Sequence, residues 1–187
     1  MLRKLQSVHL ITVLEFGMYR LALGTGLLAI VFAGAIFGFF YAWVCSTMWG
    51  LDATDPRIAI AAMQAMNASV RNAVFAPAFF GTPFVLALAG GFSLLSGRRA
   101  AGGAFVGGAI VYALGGIMLT FLVNVPMNLE LAEAAIPENL NEAAMLWRSY
   151  SEPWQVWNQT RTVFSGLSLL LAAIGLVLLG RNPHRTA

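Results

Sequence analysis

Charge is the scarcest ingredient of this chain. Of its 187 residues only 10% are charged, against 59% apolar, whereas a soluble domain is about a quarter charged. Cysteine occurs once, at Cys45, and histidine twice, at His9 and His184. A single cysteine excludes a disulfide-stapled secreted scaffold, and the apolar content excludes intrinsic disorder. His9, His184 and Cys45 have no metal-ligand spacing, and no residue spacing supports haem, so neither a metal nor another cofactor is expected. No Ser-His-Asp set, phosphate loop or dinucleotide fingerprint is present. The net charge of +3 carries no argument for nucleic acid, because its distribution follows a membrane topology.

What is there instead is four long apolar runs, over residues 21–44, 75–95, 105–123 and 164–179. About 20 helical residues cross a hydrocarbon core of roughly 30 Å. Only helices and closed barrels satisfy the backbone in lipid, and continuous rather than alternating runs select helices. The fold expected is an all-α membrane protein, a four-helix bundle in one domain over residues 1–187, with short amphipathic helices in the two longer loops. Arg3, Lys4, Arg20, Arg98, Arg99, Arg181 and Arg185 gather on one side with a single acid, Glu15. The positive-inside rule puts that side, with both termini, in the cytoplasm. Residues 1–17 read either as an interfacial helix or as a stretch before a start at Met18.

The remaining polarity is concentrated at the other side, in outer connections over residues 46–72 and 124–162. Asp55-Pro56 reads as an N-cap and first helical residue, followed by Ile60, Met63, Met66, Asn67 and Val70 on one face. In the second connection, 130–135 and 138–147 read as helices split at Ile136-Pro137. Asn67, Asn72, Asn124, Asn128 and Asn158 all fall at outer helix ends, at about one depth. Arg161 shares a face with Asn158, and Asn124 with Asn128, by the i, i+3 and i, i+4 rules. Each amide taken singly reads as a cap or an interhelical bond; the set converging from four helix ends points to a site. Trp147, Trp154 and Trp157 suit an interfacial belt or a pocket wall equally. Pro77 and Pro83 kink the second span and free carbonyls near it. Gly34/Gly38 and Gly103/Gly107 permit close helix approach, within the bundle or in a homo-oligomer.

Three strings taken together carry a family resemblance. They are Ala62-Met-Gln-Ala-Met-Asn67 leading to Asn72-Ala-Val-Phe75, then Asn124-Val-Pro-Met-Asn128, then Trp154-Gln-Val-Trp-Asn-Gln-Thr-Arg161-Thr162. In order and spacing against four spans they resemble the anthrone-oxygenase-like family of small membrane proteins, over about residues 21–180. This chain has Asn72-Ala73 where many relatives have Asn-Pro, and Asn158 where some have His. The resemblance implies a cofactor-independent monooxygenase, or a binder, of flat aromatic or quinoid molecules, in a bacterial inner (plasma) membrane. It implies catalytic roles for Asn128, Asn158 and Arg161, and substrate contacts for Asn67, Asn72, Asn124, Trp154 and Trp157. The alternative is a non-catalytic scaffold or partner subunit whose amides hold helices together.

Overall fold

A computed structural model of the chain describes the backbone of residues 2–181 and the side chains from Val13 to Arg181. His9, His184, Arg3, Lys4 and Arg185 therefore lie outside the described side chains. Among the described residues every element is a helix, as continuous apolar runs in lipid require.

The first helix, α1 (Leu2–Ala42), passes through a π-helical stretch (Trp43–Thr47) into α2 (Met48–Asp52). A short connection leads to α3 (Pro56–Ser69), which lies across the end of the bundle, and the chain re-enters it as α4 (Phe75–Leu95). The third crossing is continuous from Arg99 to Glu133: α5 (Arg99–Tyr112), two π-helical stretches (Ala113–Met118 and Thr120–Asn124), and α6 (Val125–Glu133). The last helix, α7 (Leu140–Gly180), is unbroken over 41 residues. Four of these rods are long and apolar enough to cross a membrane, and the molecule is an integral membrane protein. Each packs on its neighbours in the cyclic order α1, α4, α5, α7.

Local chemistry explains the boundaries. Asp55 caps α3 by accepting from the Arg57 backbone N–H at 2.9 Å, with Pro56 at the first helical position. Asn139 caps α7 by accepting from the N–H groups of Asn141 and Glu142. The long connection expected over residues 124–162 is thus mostly helix. α6 continues the third span to Glu133, only residues 134–139 connect, and α7 has already begun at Leu140. Pro153 stays inside α7 without ending it.

The opposite end is a tight hairpin, with Gly97 at φ 76° between α4 and α5, a conformation that costs glycine nothing. Arg98 there donates to the carbonyls of Leu179 (2.7 Å) and Arg181 and stacks on Tyr19. It thereby satisfies orphan carbonyls at the end of α7. Gly90 and Gly102 let α4 and α5 approach at backbone distance: a Cβ on Gly102 would meet the Gly90 carbonyl at 3.1 Å. By contrast, a Cβ on Gly34, Gly38 or Gly103 would meet nothing within 4 Å, and one on Gly107 only Leu171 at 3.9 Å. Those four glycines are not where this chain packs its own helices tightly.

At the other end, α2, α3, α6 and the first turns of α7 form a cap with its own core. Met48, Ile60, Met63, Leu131, Trp147, Tyr150 and Trp154 are buried together there. Gln64 fastens α3 to the end of α6 through the carbonyls of Leu131 and Ala134. Asp52 accepts from Trp147 Nε1, Ser151 Oγ and Gln155 Nε2, at 2.8–2.9 Å, tying α2 to α7.

Candidate functional site

Between cap and bundle lies a cavity of about 630 Å³. Its walls come from the upper part of α1 (Phe39, Phe40, Trp43), from α3 and the turn after it (Met66, Asn67, Val70 to Ala73), and from the start of α4 (Phe75, Ala76, Phe79, Phe80). The rest is supplied by the third crossing (Thr120, Phe121, Val125, Asn128, Leu129) and by Trp154 and Arg161 of α7. This volume falls within the range of small-molecule sites, and mostly apolar walls with a few convergent polar groups are their usual make-up. The face of α3 read from the sequence is the one used. Ile60 and Met63 are buried in the cap, while Met66, Asn67 and Val70 continue the same face into the cavity.

The aromatic wall is continuous. Phe39 meets Phe75 with ring centroids 4.9 Å apart, Phe75 stacks on Phe79 at 5.1 Å, and Phe80 stacks on Phe121 at 6.2 Å. Trp43 leans on Trp154 at 5.2 Å. Pro83 positions part of this wall. Proline has no N–H, so the carbonyl four residues earlier, that of Phe79, loses its helical partner. The Tyr112 hydroxyl donates to that carbonyl at 2.9 Å from the third crossing, restoring the bond that lipid cannot.

The polar groups divide into two chains of hydrogen bonds that meet at Trp154. In the first, Asn67 Nδ2 donates to the Tyr150 hydroxyl (3.3 Å), which donates to Asn128 Oδ1 (2.8 Å). Trp154 Nε1 donates to the same Asn128 oxygen at 2.9 Å. An indole N–H can only donate, so the Asn128 amide is held with its oxygen toward the tryptophan and its NH2 left over. In the second, Arg161 donates to Asn158 Oδ1 (2.9 Å) and to Thr120 Oγ1 (3.3 Å). Asn158 in turn donates to the Phe40 carbonyl at 3.1 Å. The Arg161 guanidinium sits over the rings of Phe40 (4.6 Å) and Trp154 (5.3 Å), an arrangement worth about 2 kcal/mol when dry. Its Nε has no partner.

The sequence-predicted residues are accordingly separated. Asn67, Asn72, Asn128, Trp154 and Arg161 line one cavity. Asn72 is also a cap: its oxygen accepts from the N–H groups of Val74 and Phe75, and its Nδ2 donates to the Ser69 carbonyl. Asn158 is buried behind the wall and holds Arg161 in place. Asn124 is fully buried, lies off the cavity wall, and has no partner for either amide atom. Asn124 ends the π-helical stretch and Asn128 lies in the first turn of α6, so the two are one helical turn apart, yet only Asn128 reaches the cavity wall. Trp157 is 38% exposed and also off the cavity wall.

Several residues of the site escape sequence reading. Phe39, Phe40 and Trp43 lie in a uniformly apolar run, where no pattern distinguishes a cavity face from a lipid face. Thr120 and Tyr150 gain their roles only through partners 41 and 22 residues away. Among the described residues no three His, Cys, Asp or Glu side chains come together as a metal set would require.

The fold and cavity define a class: a four-helix membrane protein with a small-molecule cavity where its bundle meets a helical cap. The sequence profile of the anthrone oxygenase family matches residues 71–171, which run from the turn before α4 through most of α7. The chain belongs to that family. No curated protein and no solved structure matches it.

Proposed function

We propose that the cavity binds a flat, hydrophobic aromatic or quinoid molecule and that the protein oxygenates it as the family's name describes. The observation that carries the reading is the cavity of about 630 Å³ itself, aromatic on most sides, with Asn128 and Arg161 beside Trp154. Offset ring stacking against Phe39, Phe75, Phe79 and Trp154 suits a planar polycycle. The reaction is balanced without a further oxidant. An anthrone and O2 give the anthraquinone and one water: the CH2 carbon loses two hydrogens, one oxygen atom becomes its carbonyl, and the other leaves as water. Fixed donors in a dry site favour the electron-rich anion that reacts with O2. Asn67, Asn72 and Asn128 are the amides within reach of such a ligand; Asn158 acts through Arg161.

The test uses the full chain in lipid nanodiscs with a panel of hydroxylated anthrones, following O2 uptake and anthraquinone absorbance together. Turnover above the protein-free rate is expected. It should fall about 100-fold in Arg161→Ala and about tenfold in Asn128→Ala, as for one lost oriented hydrogen bond. No turnover across the panel, or turnover indifferent to both substitutions, removes the reading.

A scaffold role draws support from Asn158 and Asn72, whose hydrogen bonds run to this chain's own backbone and side chains. It requires that Arg161→Ala and Asn128→Ala lower thermal stability while changing no ligand binding. In either case the whole chain is taken as one membrane unit. Residence in a bacterial inner membrane, with the hairpin end cytoplasmic, accompanies the proposal.

A further inference from the structure

The chain contains eight side-chain carboxylates, and all eight lie among the described residues: Glu15, Asp52, Asp55, Glu130, Glu133, Glu138, Glu142 and Glu152. None lines the cavity. Two arginines do, Arg161 inside it and the exposed Arg71. Neither takes part in an ion pair; among the described residues the salt bridges are Arg57 with Asp55 and Arg148 with Glu152. Arg161 is 5% exposed, and its Nε–H has no acceptor at all. Its present partners, a hydroxyl, an amide oxygen and two ring faces, are all neutral.

A buried cation without a counter-charge is strongly disfavoured, and ionisable groups at membrane depth ordinarily pair with one another or mark a ligand path. No side-chain carboxylate of the protein supplies that pair. Asn128 adds to the imbalance, because Trp154 and Tyr150 both donate to its oxygen and leave its NH2 as a further donor at the wall. The cavity thus offers fixed positive charge and N–H groups, aromatic walls, and no base.

We infer that the occupant is an anion: a flat hydroxyaromatic molecule bound in its ionised form, whose oxyanion is the missing counter-ion of Arg161. This rests on the ligand reading above and adds to it the ionisation state of the ligand and the residue that selects it. The ring system lies against the phenylalanines, the oxyanion meets the guanidinium beside Trp154, and the Asn128 NH2 is the second donor. The proton lost on binding goes to solvent, since the wall holds no carboxylate or imidazole to take it. For an anthrone the same discrimination favours the enolate over the ketone, so the site selects the oxygen-reactive form by binding it.

The test needs no turnover. 2-Hydroxyanthraquinone changes colour on ionisation and cannot be oxygenated as an anthrone is; 2-methoxyanthraquinone has the same ring system and cannot ionise. Both are titrated into the full-length protein in zwitterionic nanodiscs, with empty nanodiscs as reference. The expected result is a bound midpoint for the hydroxy compound at least one pH unit below that in empty nanodiscs, a tenfold preference for the anion. The methoxy compound should bind at least tenfold more weakly at pH 8. Arg161→Met should abolish the shift and Arg161→Lys retain part of it. If Arg161→Met does not fold, the comparison of the two ligands on the unaltered protein decides alone.

An unmoved or raised midpoint, or equal affinity for the two compounds, overturns the inference. Oxygenation of anthrones could survive that outcome, and selective anion binding could equally be found in a protein that oxygenates nothing. The two proposals therefore fail separately.

Discussion

Tyr112 shows how a single hydroxyl decides whether a helix break is tolerable in lipid. Its bond to the Phe79 carbonyl exists because Pro83 cannot make that bond. Tyr112→Phe should cost about 1–3 kcal/mol, the penalty of an unpaired buried carbonyl, read as thermal unfolding in detergent. The same change in a Pro83→Ala background should cost clearly less, since the alanine N–H can reclaim the carbonyl; equal costs in both backgrounds would refute the account. Asn124 is the opposite case, an amide with neither atom partnered. Asn124→Leu, of nearly the same shape, should leave stability unchanged or raise it by up to about 3 kcal/mol. A marked loss would mean that the amide has a partner. At the surface, the hydrogen bonds from Arg57 hold the Asp55 carboxyl below its usual 3.8, at about 2. Because the folded value is lowered, the cap's contribution is complete above about 3.8 and disappears as pH falls through about 2. An Asp55 carboxyl titration by NMR should show that midpoint, and one near 3.8 would mean that the pair does not form.

At the scale of elements, length is the telling quantity. At about 1.5 Å per residue α7 is about 60 Å long, twice a hydrocarbon core of roughly 30 Å, so its first turns must leave the membrane and build the cap. Hydropathy finds the apolar half, over residues 164–179. It cannot show that the polar half is the same rod, because Pro153 looks like a stop and only cap packing on Trp147, Tyr150 and Trp154 carries the helix past it. The π-helical stretches widen α1 and the third crossing near the cavity, and such widening recurs at functional sites. Gly115, in one of them, faces Phe164, which a Cβ would meet at 2.0 Å. Gly115→Ala should therefore cost about 3 kcal/mol or more in unfolding experiments. Gly34→Ala, with nothing within 4 Å, should cost nothing in the isolated chain. A large loss at Gly34 in a lipid-reconstituted sample would instead reveal a second chain packed on that face.

For the whole molecule, four crossings put the start of the first span and the end of the last on one side, and the hairpin with Arg98 and Arg99 on that same side. The basic residues at that end predict a cytoplasmic location. A C-terminal fluorescent-protein fusion should then be bright and a C-terminal alkaline phosphatase fusion inactive; the reverse pattern would invert the topology and place the cavity on the cytoplasmic side. The cap covers one end of the bundle without filling it: Asn67 and Arg71 on the cap side and Phe79, Phe80 and Phe121 on the bundle side line one cavity of about 630 Å³.

The order of residues alone determined that the chain crosses a membrane four times, since long uncharged runs have no other stable home. It also marked the caps at Asp55 and the level at which polarity gathers, because both depend on neighbours close along the chain. Which of the amides share a cavity was decided by the tertiary structure. Asn128 reaches the cavity wall while Asn124, one turn earlier, is buried off it, and Asn158, already beside Arg161 in sequence, is fixed by the distant Phe40 carbonyl. Arg161 acquired its meaning in the same way: a lone arginine near a helix end is ordinary in sequence. It becomes a demand for an anion only when folding buries it beside Phe40 and Trp154 and leaves every side-chain carboxylate elsewhere.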